Sequence, residues 1–201
     1  IPQMKARIYQ DAADDIAMFI REKTSVLAIV NTKDAAFNIF QGISDRLNAL
    51  NYKQVQIQQG LSDEELKECA KGCREDEILS VHLSTLMCPK HRKEILRWIK
   101  AWLLGKKLVC CVSTALIEAG INVSFPIVVR SWAGIPSLIQ AAGRCNRNCE
   151  EDTGRVYIWN LTEESLGPVP DIQKGKEFSM SLLRDVENPD ELGNPEMIKK
   201  Y

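Results

Sequence analysis

"KLVCCVSTALIEAGINVSFPIVVRS", residues 107–131, holds two runs rich in valine, isoleucine and cysteine on either side of a short, more polar segment. The runs at 107–113 and 125–131 are too short for ordinary helices and are apolar at successive positions. A strand buried on both faces has that pattern, and such strands belong to parallel sheets covered by helices. Outward from this pair, "SVLAIVN" (25–31), "ILSVHLS" (78–84) and "RVYIWNL" (155–161) read the same way. The segments between them are amphipathic. "KDAAFNIFQGISDRLNAL" spaces Ala36, Ile39, Phe40, Ile43 and Leu47 at helical intervals, and "PKHRKEILRWIKAWLLG" opens on Pro89 and closes on Gly105. A further helix is expected near Ala12 to Arg21, with Ile16, Phe19 and Ile20 on one side. Strands alternating with crossover helices predict an α/β fold.

One domain is expected over 1–165, with the polar stretch 51–77 as a surface insertion. Within it Ser62 and Glu65 have the spacing of a capping box. Residues 166–201 read as a tail: "GPVPDIQKGK" as a loop, then "FSMSLLRDV" and "NPEMIKKY" as short helices.

The chain has 201 residues, 45% hydrophobic and 26% charged, which fits a globular domain with one substantial core. Its formal net charge is -1, so any contact with nucleic acid must use a local patch. No apolar run reaches the length of a membrane span. The first residues, "IPQMKARIYQ", lack a signal-like apolar core and an initiator methionine. The expectation is a piece of a longer protein or a processed chain, with the cytoplasm as its compartment. Seven cysteines, an odd number, argue for reduced thiols. The pairs Cys69/Cys73 and Cys145/Cys149, with His82, Cys88 and His91 between them, are looser than the usual zinc knuckle, so no metal is assigned. A zinc-stabilised binding domain stays open as an alternative. Cys110 and Cys111 are expected in the core.

In open parallel sheets ligands collect beyond the carboxyl ends of the strands. Ser113 and Thr114 close one strand and Ser84 and Thr85 another. Hydroxyls there, with the free amides of a helix start, suit phosphate oxygens. A helix cap is the other reading. Two such ends in one sheet could follow successive phosphates of a single strand. Downstream, "WAGIPSLIQAAGRCNR" is read as a helix capped by Ser137, carrying Gln140, Arg144 and Arg147 on one face. Planar guanidinium groups suit the charge of a triphosphate, and a solvated surface face is the alternative. No phosphate loop of the Gly-x4-Gly-Lys-Ser/Thr type and no acidic magnesium quartet occur in the sequence. The nucleotide would therefore be gripped elsewhere, with these arginines reaching it across a cleft.

"IVNTKDA", "LSTLMCPKHR", "STALIEAGINVSF" and "QAAGRCNR", in that order, resemble the second RecA-like domain of superfamily 2 helicases. They are most similar to the CRISPR-associated helicase-nuclease of type I systems, and the likeness spans roughly residues 24 to 160. The resemblance implies a RecA-like parallel sheet in a three-layer αβα arrangement. It implies that Arg147 is an arginine finger, Arg144 its γ-phosphate partner and Gln140 a link between nucleotide state and the other half of the motor. It places Glu118, Gly120 and Asn122 on the nucleotide-coupling segment. Ser113, Thr114, Ser84, Thr85, Asn31 and Thr32 would meet the backbone of single-stranded DNA. ATP and Mg2+ would be bound mainly by a first RecA-like domain. Other implied partners are a nuclease domain of the same protein and the CRISPR RNA-guided surveillance complex. Ala115 stands where relatives often carry glutamine and Asn122 where they often carry aspartate. Neither His82 nor His91 sits in a His-Asp pair, so no nuclease activity is expected. A general DNA or RNA helicase and a nonenzymatic RecA-like scaffold are the competing readings.

Overall fold

The computed structural model describes residues 6–118, 121–149 and 152–183. In chain order the elements are β1 (Ala6–Arg7), α1 (Tyr9–Arg21), β2 (Val26–Val30), α2 (Lys33–Ala49), β3 (Lys53–Gln54), α3 (Asp63–Gly72), β4 (Glu77–Leu83), α4 (Pro89–Leu104), β5 (Val109–Thr114), β6 (Ile127–Ser131), α5 (Ile135–Ala142), β7 (Arg155–Leu161) and α6 (Pro170–Leu183). Among the described residues the sheet has seven strands in the order β1-β7-β6-β2-β5-β4-β3, and the pairings between neighbours are parallel.

The central strands are apolar at successive positions because each serves two cores. Val26, Ala28 and Val30 of β2, with Cys110 and Val112 of β5, join α1 and α2 on one face. Leu27, Ile29, Val109 and Cys111 point the other way, into a core built with α3 and α4. The fold is therefore the expected three-layer αβα sandwich of the RecA-like kind. Cys110 and Cys111 are buried, and burial pushes the Cys110 thiol up to about 12. All seven cysteines are free thiols.

Helix ends follow local chemistry. Thr32 caps α2 by accepting from the Ala35 amide at 3.2 Å. The expected capping box starts α3, with Glu65 N donating to Ser62 Oγ at 3.2 Å and Ser62 N to Glu65 Oε2 at 2.7 Å. Arg46 on α2 bonds Asp14 and reaches Gln10 O at 3.2 Å, tying α2 to α1.

Two readings change. The stretch 51–77 is polar on average, yet it adds edge strand β3 and helix α3, and Leu66, Ala70 and Cys73 lie in the second core. Two buried helix side chains, Leu66 and Ala70, with Cys73 at the cap, are enough to dock a ten-residue helix while leaving most of its surface charged. Helix α6 begins at Pro170, inside the stretch read as a loop, because a proline at a helix start fits the first turn. The expected helix over 194–201 lies outside the described residues.

Leu66 is 2% exposed, so Leu66→Ala should lower stability by about 2–5 kcal/mol in urea unfolding. Leu86→Ala, at a side chain 77% exposed, should stay within about 0.5 kcal/mol.

Candidate functional site

The loops leaving β4, β5 and β2 share one edge of the sheet. Val30 pairs with Thr114 and Leu83 with Ser113, so the chain exits at Asn31, Ser84 and Thr114 are neighbours. The structure thus brings together the three segments that the sequence placed at strand ends. It does not leave all their side chains free. Ser113 is fully buried and its hydroxyl donates to Thr114 O at 2.9 Å. Ser84 is buried and accepts from Leu86 N at 3.1 Å, while Thr32 is occupied as the α2 cap. Thr114 is 8% exposed, and Thr85 is the exposed hydroxyl of the group. The helix expected directly behind β5 is a single 3-10 turn, Ala115–Ile117, so Ser113 and Thr114 do not stand at the start of an α-helix.

Asn31 is not available to a strand either. Its amide nitrogen donates to Ser131 Oγ at 3.1 Å, Trp132 O at 2.9 Å and Glu164 Oε2 at 2.8 Å. Its side-chain oxygen accepts from Arg130 at 2.7 Å. Glu164 also receives the backbone amides of Asn31 at 2.6 Å and Thr32 at 3.0 Å, and the Ser131 hydroxyl. Arg130, 1% exposed, donates to Ser131 O at 2.9 Å and pairs through Nε with Glu118 Oε1 at 2.7 Å. Glu118 is 6% exposed, and its carboxylate faces this interior network. Burial pushes the Glu118 carboxyl above its ordinary range, against the pull of Arg130, and burial likewise holds Arg130 below its ordinary value. Sequence reading missed Arg130 and Glu164. Arg130 left a signal, a lone cation in an apolar strand, whereas Glu164 left none.

The arginine pair is built differently from the expected helical face. Helix α5 starts after Gly134, with Pro136 in its first turn, and ends at Ala142, with Gly143 as its cap. Ser137 is inside the helix, and Arg144 and Arg147 lie beyond its end. Gln140 stays on α5 and is exposed. Arg144 turns inward, donating to Ile117 O at 3.2 Å and to Glu118 O. It thereby ties this turn to the segment after β5. Arg147 is exposed, and its charge, after burial, holds Arg144 below its ordinary value. The turn is pinned to the start of β6 by Phe125 N to Arg144 O at 2.9 Å and Asn146 N to Phe125 O at 2.8 Å. At Gly154 the chain passes so close that a Cβ would stand 2.6 Å from Cys145 Sγ and 2.7 Å from Asn146 Cβ. Asn122 is exposed and lines a hollow of about 170 Å³ with Lys100, Ser124 and Asn148. Gly120 lies outside the described residues. Among the described residues no three potential ligands gather to hold a metal, and no helix is long and apolar enough to cross a membrane.

A parallel αβα sheet with strand-end loops along one edge and a cationic turn after the crossover helix α5 has the RecA-like arrangement. The family model for the CRISPR-associated nuclease/helicase Cas3, C-terminal, matches residues 22–150, and the chain belongs to that family. Over 54 residues it is 44% identical to the CRISPR-associated nuclease/helicase Cas3 of Haloferax volcanii, a stretch that is 26% of this chain and 6% of that protein. The fold matches the crystal structure of T. fusca Cas3-AMPPNP with a TM-score of 0.64 at 13% identity, covering 100% of this chain and 24% of that one. It matches the DUF1998 helicase MrfA bound to DNA and AMPPNP with a TM-score of 0.52 at 18% identity, over 98% of this chain and 24% of that one. At these identities the structural likeness is one of fold.

Removing one member of the buried Glu118–Arg130 pair leaves an uncompensated polar partner, so Arg130→Met should cost about 3–5 kcal/mol. The double variant Glu118→Leu/Arg130→Met should recover the part of that loss that comes from the unpaired carboxyl, while Asn31 Oδ1 stays without its donor. Because the folded-state pKa of Glu118 is raised, its contribution is complete below the unfolded carboxyl value and declines as pH rises through the folded one. Urea midpoints across mildly acidic pH should show this decline in the wild type and not in Glu118→Gln.

Proposed function

We propose that this domain is the second half of an ATP-driven motor that moves along single-stranded DNA during type I CRISPR interference. The observation that carries the reading is the division of labour between the two arginines. Arg144 is spent internally, locking its turn to the Ile117 and Glu118 carbonyls, and Arg147 is presented to solvent from the turn so fixed. A guanidinium held in this way is suited to the charge that develops on a γ-phosphate lying against another domain. Arg144 then acts as a positioning residue. The segment it grips begins at Thr114, beside the exits of β2 and β4, so a shift of the arginine turn is felt where the DNA backbone would lie.

ATP supplies the phosphoryl group whose transfer drives the motor, with Mg2+ held by carboxylates of a first RecA-like domain. Exposed Asn122, beside Asn148, fits a neutral hydrogen-bonding contact on the same side, and Gln140 on α5 is free to meet the facing domain. On the DNA edge, Thr85 and the rim of Thr114 are the hydroxyls able to reach phosphate oxygens. Asn31, Ser84 and Ser113 shape the loops from inside. A nuclease domain in the same protein and an RNA-guided surveillance complex complete the proposed setting, in the cytoplasm.

The chain by itself should show no ATP turnover above background in a linked assay. In the longer protein that carries a phosphate loop, Arg147→Ala should lower DNA-stimulated kcat by about a thousand-fold or more, with little change in the KM for ATP. Turnover unchanged by Arg147→Ala would take the finger role away from Arg147, and absence of DNA-stimulated turnover in the longer protein would favour a RecA-like scaffold that has lost the motor.

A further inference from the structure

At the amino ends of β2, β5, β6 and β7, opposite the strand-end loops, lies a cleft of about 820 Å³. Lys23, Lys106, Lys107 and Arg155 line it, and no described lining residue carries a carboxylate. This is a local concentration of positive charge on a chain whose formal net charge is -1. We propose that the cleft is a second nucleic-acid site, one that holds the phosphodiester backbone of a single strand.

The cations come from three places, the loops before β2 and β5 and the start of β7, and several are held in place. Lys107 Nζ donates to Cys73 O at 2.6 Å, leaving two of its three hydrogens for a ligand. Lys23 Nζ donates to Glu75 O at 3.1 Å and lies 5.0 Å from the Tyr52 ring centre. The Arg155 guanidinium sits 6.0 Å from the Phe19 ring centre. Lys23 and Lys106 follow α1 and α4 at φ 59 and 53, left-handed positions that favour glycine at a helix exit. The dipoles of the two helices account for one cation each. They do not account for Lys107 and Arg155, which line the same cleft from the loop before β5 and the start of β7.

The lining favours phosphate over base. Its one aromatic residue, Phe125, is fully buried and offers no face for stacking. Thr24, Ser124 and Thr153 supply neutral groups of the sort that position a backbone without reading sequence. A strand of five residues spans about 16 Å, so this site is separate from the proposed contacts at the carboxyl ends. The inference rests on nucleic acid being the substrate of the motor reading, but on neither arginine of the turn.

The test is fluorescence anisotropy of a labelled oligothymidylate of about 12 nucleotides with this chain, without nucleotide, over a salt series. Wild type is compared with Lys106→Gln/Arg155→Gln and with a charge-matched control on exposed helix surfaces, Lys67→Gln/Lys174→Gln. The cleft variant should bind at least about tenfold more weakly at low salt, with a slope of log affinity against log salt shallower by about 1.4. The control should keep the wild-type slope. Should the double variant lose its urea midpoint, Lys106→Gln alone, at an exposed side chain, should flatten the slope by about 0.7. No binding by the wild type, equal loss in the control, or equal retention of a poly-glutamate peptide would each overturn the proposal. Neither of the first two results would touch the motor reading, which stands or falls on ATP turnover and Arg147→Ala.

Discussion

A guanidinium buried in the middle of a parallel sheet must be neutralised from within, and that requirement organises the carboxyl end of this domain. Arg130 points from β6 into a space that water does not reach. Glu118 answers its charge from one side and Asn31 from the other, and Glu164 closes the circuit by receiving the Asn31 side chain, the Ser131 hydroxyl and the backbone amides of Asn31 and Thr32 just ahead of α2. The consequence is geometric. Segments that follow β2, β5, β6 and β7 cannot move independently without stranding a polar group in low dielectric. The ion pair adds little to stability over an apolar pair of the same shape, but its loss on one side alone is costly, so it specifies an arrangement.

That arrangement separates the residues that hold from those that reach. Ser113, Ser84, Asn31, Glu118 and Arg144 are all buried, and each is engaged with carbonyls, amides or charged side chains of the domain itself. Thr85, Asn122, Gln140 and Arg147 are exposed and supported by them. The resemblance grouped both sets together as ligand contacts, since a motif records which positions matter and is silent on the direction each side chain takes.

The strands were legible in the sequence because β2, β5 and β6 are apolar on both faces, which leaves no competing period. The two-residue edge strands β1 and β3 left no such trace, being defined by the neighbour they pair with and not by their own composition. Arg144 and Arg147 have helical spacing, but Gly143 ends α5 before either is reached, and Arg144 finds better partners in the Ile117 and Glu118 carbonyls. Spacing within a segment was readable, whereas the carbonyls waiting on a distant loop were not. Glu164 shows the same limit: its role depends on four groups brought from β2 and β6 by the fold.

Gly154 acts by what it lacks. Between β7 and the turn after α5 there is no room for even one further carbon, so the approach of these two segments sets how far the turn lies from the sheet. The bare backbone at 154 therefore works as a spacer against Cys145 and Asn146, the two residues that precede Arg147. A side chain there would move the turn bodily outward, and reactions of positioned groups lose about a hundredfold in rate for a misplacement near 1 Å. The register of the proposed motor would then be set, in part, by a residue that carries no functional group at all.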